Sequence, residues 1–427
     1  MIIPVLIGGF ALFLILGVPV AIAIGLASIA AVFVMGDQSL FVIAQRFGNG
    51  VNSFPLLAIP FFVLAGSLMN TGGIARRLID FASCLVGFIR GGLAMVNIVA
   101  SKFFGGISGS SVADSVAIGS ALIPAMKTRG YDGGFAAAVT AASSTIGIII
   151  PPSIPIIIYG VMAGESIGQL FLAGAIPGVL VGFSLMGMTY LMALKYPEQF
   201  PKEKLPSLKE VWKAFKSAFL ALFMPVIVLG GIIGGVFTAT EAAVVAVAYS
   251  LIVGGLVYKE IKFKHFKSIL METITGSASV MLLVATASLF GWIVAYEQIP
   301  LMIGDWIQSV STNPLIILII INIVLLLTGL FLDLTAALII LTPVLLPIAL
   351  SVGMDPTHFG IMMIVNLAIG LVTPPVGICL FAVCNIAKIT IGRVSKAVLP
   401  LLAAMIFVLL LVTYVPQISM YLPSLME

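Results

Sequence analysis

The sequence predicts an all-α polytopic membrane protein built from an inverted repeat, each copy holding one re-entrant helical hairpin and one broken helix. Of its 427 residues, 61% are hydrophobic and 8% charged, where a soluble domain carries about a quarter. Apolar runs of about 17 to 25 residues, enough to cross a hydrocarbon core, recur from end to end. A duplication is the third observation. Sliding the chain by 223 residues superposes Gly106 on Gly329, Pro124 on Pro347, Gly130 on Gly353, Asp132 on Asp355, Gly147 on Gly370 and Pro151-Pro152 on Pro374-Pro375. Shared hydrophobicity alone does not align Gly and Pro.

Backbone in lipid must satisfy its own hydrogen bonds, which leaves helices or closed barrels. The apolar runs are continuous rather than alternating, which selects helices. The first run, 1–35, lacks a basic n-region and a small-residue cleavage site and reads as a retained membrane segment. The next blocks, 53–70 and 78–100, complete a scaffold unit at 1–100. A transport-type unit at 101–167 follows, holding the first hairpin and broken helix. Segment 168–330 contains a connecting helix, a polar loop and the second set of scaffold helices. Its counterpart hairpin and broken helix occupy 331–394, and 395–427 holds a C-terminal helix.

Basic residues orient these blocks, because Lys and Arg in short loops mark the cytoplasmic side. Loop 195–217 carries Lys195, Lys202, Lys204, Lys209, Lys213 and Lys216, and segment 259–267 carries Lys259, Lys262, Lys264 and Lys267. Two crossings, 218–237 and 241–257, join these loops and return the chain to the same side. Lys102, Lys127 and Arg129 flank block 103–128, whereas its counterpart 331–352 has no Lys or Arg at either end. After the double prolines the bias reverses: Glu165 follows the first pair, and Lys388, Arg393 and Lys396 follow the second. An inverted repeat has this signature. Arg76, Arg77 and Arg90 do not conform, and the crossings in 258–330 close only if one segment is re-entrant or lies flat.

The candidate chemistry sits in blocks 103–128 and 331–352 and in the two proline-interrupted helices. The first block begins FGGISGSSVADS at 104–115, too small, polar and flexible to face lipid. An aspartate at a helix centre costs about 2.5–3.5 kcal/mol on insertion scales, so Asp114 and Asp333 imply protein burial or a wet cavity. ASSTIGIIIPPS at 142–153 and IGLVTPP at 369–375 each place a proline pair in mid-membrane, where a regular helix cannot continue. Carbonyls freed there, with nearby hydroxyls, are hard oxygen ligands suited to Na⁺. The half-helix starts beyond the breaks aim positive dipole ends at an anion. Two copies thus suggest two cation sites flanking one anionic-substrate site. Close helix packing alone would explain the Gly and Ala content, but not the two aspartates or the paired prolines.

Other features are plainer. The three cysteines, Cys84, Cys379 and Cys384, lack metal-ligand spacing and read as packed thiols. Glu241 is either a helix-start residue or a scaffold contact. Segment 196–212 reads as a connector lying on the membrane surface, His265 and His358 as solvated, and Trp292 and Trp306 as interfacial anchors. The net charge of +4 comes from a few loops and makes no case for nucleic acid. No enzyme is expected: an intramembrane serine protease needs a histidine in the helical core, and an aspartyl pair needs two straight facing spans. An ion channel would not require duplicated broken helices.

PLLAIPFF at 55–62, LMNTGGI at 68–74, GGISGSS at 105–111, IPPSI at 150–154 and VTPP at 372–375 resemble the large membrane subunit of TRAP transporters, the tripartite ATP-independent periplasmic transporters. The resemblance covers essentially the whole chain. It implies a sodium-coupled secondary transporter of organic acids, working by an elevator motion in the bacterial inner membrane. It also implies a separate small membrane subunit of four helices and a periplasmic substrate-binding protein as partners. By this resemblance Ser108, Ser110, Gly147, Ile150 and Pro152 form a first Na⁺ site. Through the repeat, Gly329, Asp333, Gly370, Thr373 and Pro375 form a second. Substrate carboxylate is expected near Ser111, Asp114, Ser143, Ser144 and Ser153. Family substrates include C4-dicarboxylates, 2-oxo acids and sialic acid, and the pattern looks closest to the sialic acid branch.

Overall fold

A computed structural model describes residues 1–36, 38–201 and 205–425, apart from the side chains of Ile107, Ser108, Gln199 and Gln308. The described residues form helices joined by short turns, without a β-strand. Seven of the helices are long and apolar enough to cross a membrane. Lys202 and Lys204 of the basic loop lie outside the described residues.

The repeat is visible element by element. The first hairpin is Gly92–Ser108 and Ser111–Thr128; the second is Pro314–Gly329 and Leu334–Ser351. Each hairpin therefore starts earlier than the blocks 103–128 and 331–352 suggest, because its first arm is apolar and merges with the run before it. A broken helix follows each: Gly133–Ser144 leads through a tight 3₁₀ turn to Ile154–Ala163, and Pro356–Gly370 leads to Ile378–Ala387. Asp132 and Asp355 start these helices equivalently, accepting from the N–H of Phe135 at 2.9 Å and of His358 at 3.0 Å. An acceptor at this position satisfies an N–H that the helix leaves unbonded.

The two copies interlock. Half-helix Ile378–Ala387 packs on the first hairpin and on Gly133–Ser144, while half-helix Ile154–Ala163 packs on Leu334–Ser351. Ser111 Oγ and Cys379 Sγ, one from each copy, meet at 3.1 Å. Around this body lie frame helices that include Val20–Met35, Ala58–Thr71, Ala239–Leu251 and Phe266–Tyr296. Cys379 and Cys384 are buried thiols, as the apolar surroundings suggest.

Several sequence expectations are settled here. The helix Ile299–Val310 has 12 residues, about 18 Å at 1.5 Å each, too short to cross, and Pro314–Gly329 is the first arm of the second hairpin. Glu241 is a helix-start residue: its carboxylate accepts from Thr238 N–H at 2.8 Å while Thr238 Oγ accepts from Glu241 N–H at 3.3 Å, a reciprocal cap. His358 is not solvated. It is 3% exposed, and its Nε2 lies 2.7 Å from the Val412 carbonyl. Connector 196–212 does not simply lie on a surface either, since Phe200 is 4% exposed and packs edge-on against Tyr131 and Phe135. Arg77 pairs with Glu260 at 2.8 Å and stacks on Tyr258. That pair places the Arg76-Arg77 turn beside the basic segment 259–267, where the charge pattern left it unassigned.

Candidate functional site

Each hairpin tip leans on the break in its own copy's second helix, and small residues make that approach possible. A Cβ on Gly105 would lie 2.1 Å from the Gly147 Cα, and one on Gly370 would lie 2.7 Å from the Gly329 Cα. No real Cβ is found so near another carbon. The contact-equivalent of Gly329 is thus Gly105, one residue from the Gly106 that the ungapped repeat selects. Gly106 instead faces the Pro151 carbonyl.

At the first break the chain leaves helical geometry after Ile148 and re-enters it at Ile154. Ser153 secures the re-entry: its hydroxyl donates to the Ile148 carbonyl at 2.5 Å and accepts from Ile156 N–H at 3.4 Å. At the second break Thr373 Oγ donates to the Ile369 carbonyl at 2.7 Å. The peptides Pro151-Pro152 and Pro374-Pro375 are both cis. Gly147, Ile150 and Pro152 line up along the first break, and Gly370, Thr373 and Pro375 along the second. The side chain of Ser108 lies outside the described residues. Among the described residues no three His, Cys, Asp or Glu side chains cluster as a metal site would require. Backbone carbonyls and hydroxyls stand at both breaks and the Asp114 carboxylate at the first, a set of oxygen donors suited to a hard cation.

Between the two tips and the frame lies a cavity of about 290 Å³. Its wall includes Gly109, Ser110, Ser111, Ile154, Pro155, Asp333 and Thr335 from the repeat, and Ser67, Asn70 and Glu272 from the frame. Three helix starts meet there: Ser111–Thr128, Leu334–Ser351 and Ile154–Ala163. Ser110 Oγ accepts from Ala113 N–H at 3.4 Å, and Asp333 Oδ2 from Thr335 N–H at 3.0 Å. Ser110 and Asp333 are therefore equivalent caps, 223 positions apart, with different charge. Converging helix N-termini favour negative charge, and the carboxylates of Asp333 and Glu272 stand in the same wall, with no Lys or Arg among its described lining residues.

Of the residues expected to meet substrate, Ser111 lines this cavity. Asp114, Ser143, Ser144 and Ser153 do not line it. Asp114 is 0% exposed, and a Cβ on Gly147 would stand 2.3 Å from its Oδ2. Its carboxylate sits behind the tip, at the first break. Ser143 is buried between Ser101 Oγ at 2.9 Å and Asn97 Oδ1 at 3.1 Å. Ser144 binds Ser115 at 2.7 Å and Ser111 at 3.1 Å. These hydroxyls tie the hairpin to the broken helix. In the second copy, Asn366 Nδ2 donates to Asn322 Oδ1 at 2.8 Å, and Asn322 Nδ2 to Thr413 Oγ at 3.2 Å. Asn70 lies within the motif LMNTGGI at 68–74 but drew no role from it, and Ser67 and Glu272 escaped the sequence reading because they meet only across 205 residues, at 2.5 Å.

Duplicated hairpins against duplicated broken helices, with a cavity between their tips and the frame of a multi-pass body, define a membrane transport component. Residues 7–418 match the family described as the DctM component of tripartite ATP-independent periplasmic transporters, and the chain belongs to that family. It is 46% identical over 98% of its length to an isethionate TRAP transporter permease protein, DctMQ, of Oleidesulfovibrio alaskensis, and spans 66% of that longer protein. It is 44% identical to the sialic acid TRAP transporter large permease protein SiaM of Vibrio cholerae, covering 96% of this chain and 95% of SiaM. Among solved structures, the YdaH transporter of Alcanivorax borkumensis shares the fold, with a TM-score of 0.60 at 14% identity over 87% of this chain and 86% of that one.

Proposed function

We propose that this chain is the large membrane subunit of a sodium-coupled secondary transporter that imports an organic acid of the sialic acid or C4-dicarboxylate type. The carrying observation is the convergence of three helix starts on one cavity flanked by two glycine-crossed helix breaks. The helix starts favour a carboxylate, and the breaks offer oxygen donors for Na⁺. Ions bound there order the tips, and the ordered tips complete the cavity; coupling follows because each ligand favours the same arrangement. Ser108, Ser110, Gly147, Ile150, Pro152 and Asp114 serve the first ion. Gly329, Asp333, Gly370, Thr373 and Pro375 serve the second.

The moving unit comprises the hairpins and broken helices, and begins at residues 92 and 314 rather than 101 and 331. It slides against the frame as an elevator. In the bacterial inner membrane the chain works with a small four-helix membrane subunit and a periplasmic binding protein that delivers the acid. The relatives named for isethionate and sialic acid support an acid and leave its identity to the test. That test is uptake of labelled N-acetylneuraminate, succinate and isethionate into proteoliposomes holding the chain with its small subunit. Uptake requiring both an inward sodium gradient and a loaded binding protein is expected. Uptake of none of the acids, or uptake indifferent to sodium, overturns the reading.

A further inference from the structure

We infer that Glu272 is a release residue: a frame carboxylate that lowers the affinity of the cavity for its anionic substrate at one end of the movement. The inference rests on the carrier reading above. Three observations carry it.

The first is placement. Glu272 lines the same cavity as the tip residues Ser110, Ser111 and Asp333, yet it belongs to the frame helix Phe266–Tyr296. A side chain on the frame faces the substrate only while the tips stand at its level.

The second is which level this is. Glu272 lies within two turns of the start of its helix, directly after the basic segment 259–267. Its partner Ser67 lies in the last two turns of Ala58–Thr71. The turn that ends that helix touches the same basic segment: a Cβ on Gly72 would lie 3.6 Å from the Ile261 Cδ1, and Arg77 holds Glu260. The cavity therefore stands at the Lys- and Arg-rich end of the frame, the cytoplasmic end by the distribution of positive charge.

The third is the state of the carboxylate. Asp333 caps a helix start, where the dipole offsets its charge. Glu272 sits inside a helix and has no such compensation. Among the described residues its partner is the Ser67 hydroxyl at 2.5 Å, and no Lys or Arg forms a salt bridge with it. Its negative charge is directed at a cavity that otherwise favours an anion. Repulsion at this end and not at the other makes release to the cytoplasm easier than release outward. The sodium gradient still supplies the drive; Glu272 sets only the affinity on one side.

Sided proteoliposomes holding the full chain with its small subunit test this, using whichever of N-acetylneuraminate, succinate and isethionate the wild type carries. Glu272→Gln removes the charge and keeps an acceptor for Ser67. The half-saturating substrate concentration measured from the cytoplasmic side is expected to fall about three- to tenfold, as for a unit charge within about 10 Å of the anion. The periplasmic value stays unchanged, and Glu272→Asp behaves as the wild type. Equal shifts on both sides, or none, overturn the release role while carriage of the acid by the wild type leaves the carrier reading standing. Carriage of none of the acids by the wild type overturns both. If Glu272→Gln does not assemble, Glu272→Ala is subject to the same side-specific comparison.

Discussion

Gly105 and Gly147 cross so closely that a methyl group on Gly105 would lie 2.1 Å from the Gly147 α-carbon. At Gly105 the two nearest atoms are backbone, and at Gly147 the Gly105 α-carbon at 2.6 Å stands beside Asp114 Oδ2 at 2.3 Å, so turning a side chain aside does not make room at either. Alanine at either position should destabilise the protein by about 1–3 kcal/mol or more, the range for overpacking a filled interior. Thermal unfolding of the purified chain checks this against Gly187→Ala, where a Cβ meets nothing within 4 Å and no loss is expected.

Ser110 and Thr373 mark the two proposed ion sites from opposite copies. Ser110→Ala and Thr373→Ala should each raise the sodium concentration for half-maximal uptake severalfold, with maximal uptake recovered at high sodium. Unchanged sodium dependence in both would remove these hydroxyls from ion binding.

Asp114 is buried at the first break rather than in the cavity wall. Asp114→Asn, which keeps the shape and removes the charge, should therefore act on the ion and not directly on the acid. The expected result is a higher sodium requirement with near-normal substrate affinity at saturating sodium. A lowered substrate affinity that sodium cannot restore would return Asp114 to the substrate site.

Asp132 caps the first broken helix and pairs with Arg393 of the C-terminal helix. Partial burial raises its carboxyl, but donation from Phe135 N–H and from Arg393 outweighs this and holds it below the ordinary carboxylate range. A group so depressed stabilises the fold above its unfolded value of about 4 and loses that contribution as pH falls through the lower folded value. Arg393→Gln should thus lower the melting temperature at neutral pH, with the gap from wild type closing under acid conditions. A pH-independent gap would mean that Arg393 acts by packing.

Asn366 and Asn322 form the second copy's buried polar tie. Asn366→Leu leaves the Asn322 carboxamide without its donor, and a buried group so stranded costs about 1–3 kcal/mol. Reduced melting temperature with unaltered sodium dependence is the expected pattern; an altered sodium requirement would make the tie part of the ion site.

Much of the fold was legible in the residues because lipid leaves so few options. Continuous apolar runs require helices, and a proline pair in mid-membrane requires a break with its own polar shelter. Gly147 and Gly370, Asp132 and Asp355, and Ser110 and Asp333 hold matching structural positions because local backbone geometry sets them and the repeat preserves it. Hairpin boundaries were less legible, since the first arms at Gly92 and Pro314 continue the apolar runs before them.

What the sequence by itself determined is therefore the helical class, the duplication and the two breaks, each a consequence of short-range backbone constraints. Tertiary structure alone decided which polar groups share a cavity. It moved Ser143, Ser144 and Ser153 into buried ties and caps, and brought Ser67 and Glu272 together across 205 residues. The physical reason is that helix rotation and level are set by packing over the whole chain. No local pattern records which face of a frame helix meets a hairpin tip.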